Sequence, residues 1–366
     1  MRKIIISGGG TGGHIFPAIS IANKLVETIK DIDILFVGAQ DRMEMEKVPA
    51  AGYPIEGLWI SGFQRSWSLK NLSFPFKVIA SMFKSNRIIS SFKPDLVIGV
   101  GGYASGPMLQ AAASKGIPTM IQEQNSYAGI TNKLLGKKVD TICVAFDGME
   151  KFFSKDKIVL TGNPIRQDIL TLQYSAEDSR KHLGLENKKT VLTVGGSLGA
   201  RSINLGIKAC AREIVGAGIQ IVWQTGTAFF DEATQFVQSE KLENGVKVFD
   251  FISEMDRAYA AADVIVSRAG AIAVSEICCV GKPAILVPFP HAAEDHQTKN
   301  AKALSENDAA LLVVDSEANN LGQVIIELFA NPEKMVQLSK NVSALAHRNA
   351  AEKIVAEAKK LLYANT

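Results

Sequence analysis

The sequence has 366 residues, with 40 Lys and Arg against 37 Asp and Glu, a formal charge of +3, and 47% hydrophobic, 21% charged and 7% aromatic residues. That length predicts about two domains, each able to bury its own core, and the composition excludes a disordered or collagen-like chain. No apolar run approaches the ~18–20 residues of a membrane-spanning helix, and Met1-Arg2-Lys3-Ile4-Ile5-Ile6-Ser7 turns glycine-rich too soon for a secretion signal, so the chain is expected to be made and kept in the cytoplasm.

Short apolar runs alternate with helical patterns along the whole chain. The first set of expected strands is Lys3–Ser7, Asp33–Val37, Leu96–Val100, Thr119–Gln122, Thr141–Ala145 and Ile158–Leu160. The second is Thr190–Val194, Ile219–Gln224, Val246–Phe251, Val264–Ser267, Ala284–Val287 and Ala310–Val314. Nearly all are continuous Val/Ile/Leu runs, as parallel strands buried on both faces require. Helices such as Pro17–Ile29 and Ala271–Val280 lie between them. The pattern predicts an α/β protein of two doubly wound parallel sheets. The joint is expected at Thr161-Gly162-Asn163-Pro164, giving domains 1–163 and 164–345, with an amphipathic helix over 346–366 that packs back on the first domain.

The four cysteines, Cys143, Cys210, Cys278 and Cys279, form no C-x-x-C pair and read as buried thiols. His291 and His296 lack neighbours to complete a zinc site, so no metal is expected. Charge is uneven: residues 1–165 hold 19 Lys and Arg against 13 Asp and Glu, and the rest is net acidic. Between Glu56 and Asp95 no acidic residue occurs. There Lys70, Lys77, Lys84 and Arg87 interleave with Phe74, Phe76, Ile79 and Phe83. Such a window suits a surface resting on an anionic bilayer, each Lys or Arg being worth about 1 kcal/mol there; a core helix with solvated lysines is the alternative. Nucleic acid is not expected, since no binding motif accompanies the small net charge.

Each half opens with a strand and a glycine-rich turn: Ser7-Gly8-Gly9-Gly10-Thr11-Gly12-Gly13-His14 and Val194-Gly195-Gly196-Ser197-Leu198-Gly199-Ala200. Such turns let backbone N–H groups approach an anion at a helix N-terminus. Gly8, Gly10 and Gly13 satisfy G-x-G-x-x-G, which keeps an NAD(P)-dependent oxidoreductase in view. That reading wants an acidic residue where the second strand ends; the chain has Gly38-Ala39-Gln40 there, and Asp41 comes late. A third segment, Ser267-Arg268-Ala269-Gly270-Ala271-Ile272-Ala273-Val274-Ser275-Glu276, follows a strand and opens a helix. Its small residues leave N–H groups open to a diphosphate, and Glu276, two turns in, could accept from both hydroxyls of a ribose.

Six segments carry a family resemblance: Gly9–His14, Gly101–Pro107, Glu123–Asn125, Thr161–Arg166, Gly195–Ala200 and Arg268–Glu276. Together, in order from residue 3 to about 301, the chain resembles the MurG family, the N-acetylglucosaminyltransferases of bacterial peptidoglycan synthesis. The resemblance implies a GT-B fold, two Rossmann-like domains facing across a cleft, the first taking the lipid-linked acceptor and the second UDP-GlcNAc. It implies transfer of GlcNAc to the 4-hydroxyl of MurNAc in lipid I, giving lipid II with inversion, at the cytoplasmic face of the inner membrane as a peripheral protein. No cofactor is required in that scheme. Glu276 resembles the ribose-binding carboxylate, Gly270, Ala271, Ile272 and Ala273 the diphosphate-binding helix start, and Arg166 and Ser197 further phosphate contacts. Ile252 matches a backbone site for uracil, and Gln297 the reader of the GlcNAc hydroxyls. Thr11, Gly12, Gly13 and Asn125 match donor-sugar contacts from the N-terminal side. One departure is His296 beside Gln297, where the family often has two glutamines.

Inverting displacement needs a base for the incoming hydroxyl and a counter-charge for departing UDP. No D-x-D motif ends a suitable strand. His14 is the leading base, since an imidazole near its ordinary pKa suits the task. Glu123 competes, and Tyr103 could orient the acceptor. A non-catalytic membrane-bound sensor of sugar nucleotides is a further alternative.

Overall fold

The computed structural model describes residues 1–62, 74–196 and 198–364, so Lys70 and Ser197 lie outside the described residues. The chain forms two compact units, Met1–Ile165 with Asn349–Thr366, and Arg166–Arg348. The crossover after Ile165 falls just past the joint read from the sequence, and the return at Asn349 falls three residues after the expected one.

The first unit runs β1 (Arg2–Ser7), α1 (Gly12–Thr28), β2 (Ile32–Ala39), α2 (Glu44–Ala50), β3 (Ile55–Leu58), α3 (Phe74–Phe92), β4 (Leu96–Gly99), α4 (Ser105–Ala113), β5 (Thr119–Glu123), α5 (Ile130–Leu135), β6 (Thr141–Val144) and β7 (Ile158–Leu160). Its seven parallel strands stand in the order β3-β2-β1-β4-β5-β6-β7. Both faces are covered, which is why the central strands carry runs of consecutive apolar residues such as Ile4-Ile5-Ile6 and Leu96-Val97-Ile98. Along β1, Ile5 faces one helical layer with Ile88, Ile89, Met108 and Leu109, whereas Ile4 and Ile6 face the other with Ile15, Ile21 and Leu25. Burying one such side chain fully stabilises the fold by roughly 1.5–3 kcal/mol.

The second unit runs α6 (Gln167–Leu170), α7 (Ala176–His182), β8 (Thr190–Val194), α8 (Arg201–Gly216), β9 (Gln220–Gln224), α9 (Thr227–Ser239), β10 (Val246–Phe249), α10 (Met255–Ala261), β11 (Val264–Ser267), α11 (Ala271–Val280), β12 (Ala284–Leu286), α12 (His296–Ser305), β13 (Leu311–Leu312), α13 (Leu321–Phe329) and α14 (Pro332–Ala344). Its six parallel strands are ordered β10-β9-β8-β11-β12-β13. Helix α15 (Ala350–Tyr363) then places Ile354, Val355, Ala358 and Leu362 in the first unit's core beside α1.

Two expectations are corrected. Strand β3 carries no strand signal in the sequence, because Glu56 and Gly57 interrupt its four residues and it stands at the sheet edge. Helix α1 starts at Gly12 and takes Pro17 into its interior. The proline costs the bond to the carbonyl of Gly13, an exposed residue whose carbonyl water can satisfy.

Candidate active site

In each sheet the strand order reverses once, between β1 and β4 in the first and between β8 and β11 in the second. Open parallel sheets bind ligands at the carboxyl ends of the strands flanking such a reversal. All three glycine-rich segments singled out in the sequence stand there, after β1, β8 and β11, and a fourth, Gly101-Gly102, follows β4.

In the first unit the turns after β1 and β4 touch. A Cβ on Gly102 (φ +83°) would lie 2.4 Å from the carbonyl oxygen of Gly9, so only glycine allows this approach. Ser105 Oγ donates to the carbonyls of Ser7 (2.7 Å) and Gly101 (2.9 Å), tying both turns to α4. Glu44, only 1% exposed, is a residue the sequence gave no reason to notice. Its carboxylate accepts the N–H of Gly10 at 2.8 Å and of Ala39 at 3.0 Å. An internal anion thus occupies the seat at which a dinucleotide fold holds pyrophosphate, and this argues against the oxidoreductase reading.

His14 follows that turn and is half-buried. Its Nδ1 lies 3.1 Å from Thr11 Oγ1. The other edge of the ring lies against Gly101 (φ +89°), where a Cβ would stand 2.9 Å from Nε2. Gly12 and Gly13 form the start of α1. Tyr103 is 49% exposed, and its phenol rests on Gly62, whose missing side chain makes the room.

Glu123 does not fit the role of base. It is 2% exposed, and both of its oxygens are occupied. Oε1 accepts from Asn125 N (3.0 Å) and Nδ2 (3.3 Å), and Oε2 from Gly129 N (3.0 Å) and Asn132 Nδ2 (2.9 Å). A carboxylate has about four acceptor sites, and here four N–H donors from the loop after β5 and the first turn of α5 fill them. Burial pushes its pKa up against those donors. Its task is to shape the loop that carries Asn125. Beneath that loop Gln122, Gln124 and Asn163 interlock: Gln122 Nε2 donates to Asn163 Oδ1 (2.9 Å), and Asn163 Nδ2 to the Gln124 carbonyl (2.9 Å).

In the second unit, Gly270 caps α11 with no side-chain hydrogen bond, and the helix has no acidic residue in its first turn. A Cβ on Gly270 would meet nothing within 4 Å, so space is open beside the residue that leads into Ala271, Ile272 and Ala273. Arg268 faces away from this role: it donates to the Val287 carbonyl (3.0 Å) and Ser202 Oγ (2.9 Å) and pairs with Asp315. Glu276 is 9% exposed rather than a surface residue. Its Oε2 accepts from Tyr259 Oη at 3.0 Å, and its Oε1 is 3.7 Å from an Arg166 nitrogen. Burial raises the Glu276 pKa, opposed by the Arg166 charge and the Tyr259 hydroxyl. Arg166 also stands 3.9 Å from Asp168.

The Ile252 amide donates to Gln224 Oε1 at 2.9 Å, while Gln224 Nε2 donates to the Gly196 carbonyl at 3.1 Å. A base that accepted from Ile252 would have to displace Gln224. Gln297 Oε1 accepts the N–H of Phe289 at 2.9 Å, which fixes one end of its amide. His296 Nδ1 lies 2.6 Å from the Ala293 carbonyl, at the start of α12.

On α3, Phe76 (68% exposed), Ile79 (55%) and Phe83 (74%) form one outward stripe, and Arg87 is exposed beyond it. Phe74 is half-buried and off this stripe. Lys77 and Lys84 are partly engaged by their own unit: Lys77 Nζ donates to Ser61 Oγ (2.9 Å), and Lys84 Nζ to the Gly57 carbonyl (2.8 Å) while pairing with Glu56 (3.0 Å). No helix among the described residues is long and apolar enough to cross a membrane. Among the same residues no group of three His, Cys, Asp or Glu side chains is placed to hold a metal ion.

Residues 4–144 match the glycosyltransferase family 28 N-terminal domain and residues 190–354 the glycosyltransferase family 28 C-terminal domain. The chain is 57% identical over 355 residues to the UDP-N-acetylglucosamine–N-acetylmuramyl-(pentapeptide) pyrophosphoryl-undecaprenol N-acetylglucosamine transferase of Cytophaga hutchinsonii, covering 96% of this chain and 95% of that one. It is 51% identical to the protein of that name from Parabacteroides distasonis, over 99% of each chain. Its structure is similar to the crystal structure of Acinetobacter baumannii MurG, with a TM-score of 0.80 and 30% identity over 98% of this chain and all of that one. UDP-GlcNAc 2-epimerase from Neisseria meningitidis, at 17% identity and TM-score 0.69, shares the fold alone. With two sheets reversing at glycine-rich turns, both family 28 domains in order and end-to-end relatives above half identity, the chain belongs to the MurG family of glycosyltransferases.

Proposed function

We propose that this enzyme transfers GlcNAc from UDP-GlcNAc to the 4-hydroxyl of MurNAc in undecaprenyl-pyrophosphoryl-MurNAc-pentapeptide, with inversion at C1. The observation that carries the donor half is the pairing of an α11 N-terminus that has no side-chain cap and no acidic residue in its first turn with a buried carboxylate, Glu276, two turns further along the same helix. The helix start at Gly270, Ala271, Ile272 and Ala273 takes the diphosphate through N–H groups and the positive end of the helix dipole. Glu276 accepts from the ribose hydroxyls, and Arg166, exposed on one side, adds positive charge toward UDP as it departs. Ile252 holds the base by its backbone, and Gln297, with one amide end fixed, presents the other to the sugar. These groups meet the diphosphate charge, so the reaction needs no cofactor.

The first unit supplies the acceptor side. His14 removes the proton from the 4-hydroxyl as oxygen bonds to C1 and the C1–oxygen bond to UDP breaks. Thr11 orients the ring: in the tautomer whose Nδ1–H donates to Thr11 Oγ1, the lone pair lies on Nε2. Tyr103, exposed beside the same turns, orients the acceptor. The stripe of Phe76, Ile79 and Phe83, with Arg87, rests the enzyme on the anionic cytoplasmic face of the membrane, where the acceptor is held.

Thermal stabilisation by UDP-GlcNAc, UDP-glucose and NADH tests the donor half. UDP-GlcNAc should raise Tm most and NADH should leave it unchanged. Stabilisation by NADH, or no UDP release when lipid acceptor is added, would refute this reading.

A further inference from the structure

Tyr259 is a buried hydroxyl with one partner. The residue is 4% exposed on α10, and its hydroxyl donates to Glu276 Oε2 at 3.0 Å. A phenol in an apolar interior needs such a partner, but the bond also constrains the carboxylate. The terminal torsion of a glutamate is broad and nearly unrestrained by its own chain. Here one oxygen is held from the interior by Tyr259, while the other points toward Arg166, 3.7 Å away, whose side chain is 41% exposed. The carboxylate plane is therefore set before any ligand arrives, with Oε1 on the side of the exposed guanidinium.

We propose that Tyr259 is a positioning residue for nucleotide recognition, which fixes the Glu276 carboxylate so that a ribose diol meets preset acceptors. It acts through Glu276 and does not itself touch the ligand. The inference rests on the donor-site reading above and extends it to a side chain in the core. Preset acceptors improve affinity because the ordering cost is met during folding rather than on binding.

The test compares UDP with 2′-deoxy-UDP by calorimetry, and UDP-GlcNAc turnover, in wild type, Tyr259→Phe and Glu276→Gln. Phenylalanine keeps the ring and its packing. In wild type UDP should bind at least about tenfold tighter than the deoxy analogue, the equivalent of one charge-assisted hydrogen bond. In Tyr259→Phe UDP should weaken by about tenfold and 2′-deoxy-UDP by much less, so that the preference collapses. The KM for UDP-GlcNAc should rise in parallel while kcat stays within about twofold. An undiminished preference in Tyr259→Phe, including the case where both ligands weaken equally, would overturn the positioning role. A preference undiminished in Glu276→Gln would instead overturn the donor-site reading itself. Loss in Glu276→Gln with retention in Tyr259→Phe would remove this inference and leave the donor site standing.

Discussion

Replacing Glu123 with Gln separates a loop-shaping carboxylate from a catalytic one. The wild-type carboxylate accepts from Asn125 N and Nδ2 on one oxygen and from Gly129 N and Asn132 Nδ2 on the other. An amide offers one oxygen and turns two donors toward the second pair. Asn132 can adapt, since its Oδ1 is buried without a partner and a rotation of its amide would let it accept from the new Nε2. The N–H of Gly129 has no such recourse. One orphaned buried donor costs roughly 1–3 kcal/mol, which in a unit of this size lowers Tm by about 2–4 °C per kcal/mol, so a drop of about 2–12 °C is expected. The fall in kcat should stay within about tenfold, from displacement of Asn125. Burial pushes the Glu123 pKa up, so the folded chain keeps this proton to higher pH than the unfolded one. Its contribution to stability is whole below the unfolded value of about 4.3 and declines as pH rises through the folded value. The gap between wild type and Glu123→Gln should therefore narrow as pH rises. Differential scanning calorimetry at several pH values, with kcat from UDP release, reads both quantities. A hundredfold loss of kcat at unchanged Tm would show that Glu123 performs the chemistry after all.

Three further outcomes are expected. His14→Ala should lower kcat by about 10²–10⁴ with little change in UDP-GlcNAc KM, and Thr11→Val should lower kcat less; loss confined to KM would remove His14 as the base. Replacing Phe76, Ile79 and Phe83 together with Ser should reduce sedimentation with anionic vesicles at least about a hundredfold, because each apolar side chain is worth roughly 1.5–3 kcal/mol when buried; unchanged sedimentation would discard the membrane face. Burial lowers the Lys282 pKa from 10.5 to about 8, so between those values the unfolded chain holds the proton more tightly and stability should rise with pH. Urea unfolding should show wild type gaining up to about 3 kcal/mol on Lys282→Met across that window, and parallel curves would contradict the shift.

The sheets were legible because parallel strands covered on both faces are written in uninterrupted Val, Ile and Leu; β8 and β11 begin and end where those runs do. Strand β3 was not, since an edge strand of four residues with an exposed Glu56 is paired by backbone bonds that no side chain announces. The turns were legible through glycine, for a reason now visible: Gly102 admits the Gly9 backbone and Gly101 admits the His14 ring. The partners that fix these turns were hidden. Glu44 is far from Gly10 in sequence and sits in a helix that reads as an ordinary charged one. Tyr259 reads as one more aromatic in an alanine-rich helix until the fold brings it to Glu276. Glu123 misled for the same reason, because its type suits a base and only its four donors reveal another task.

The two units use one device for opposite ends. Each places backbone N–H groups at a reversal in strand order, where an anion is favoured. In the first unit Glu44 fills that place after β1, 1% exposed and bonded to Gly10 and Ala39. A filled seat ties the turn to Glu44, which suits the proposed task of holding His14 steady toward a neutral hydroxyl. In the second unit the turn after β11 has no side-chain cap, no acidic residue in the first turn of the helix and space beside Gly270. On the proposed reading, a helix start without its own carboxylate suits a diphosphate that gains charge as its bond to the sugar breaks. Whether a carboxylate of the chain already occupies the turn thus separates the segment proposed to position a base from the one proposed to receive a leaving group, although both read as glycine-rich loops in sequence.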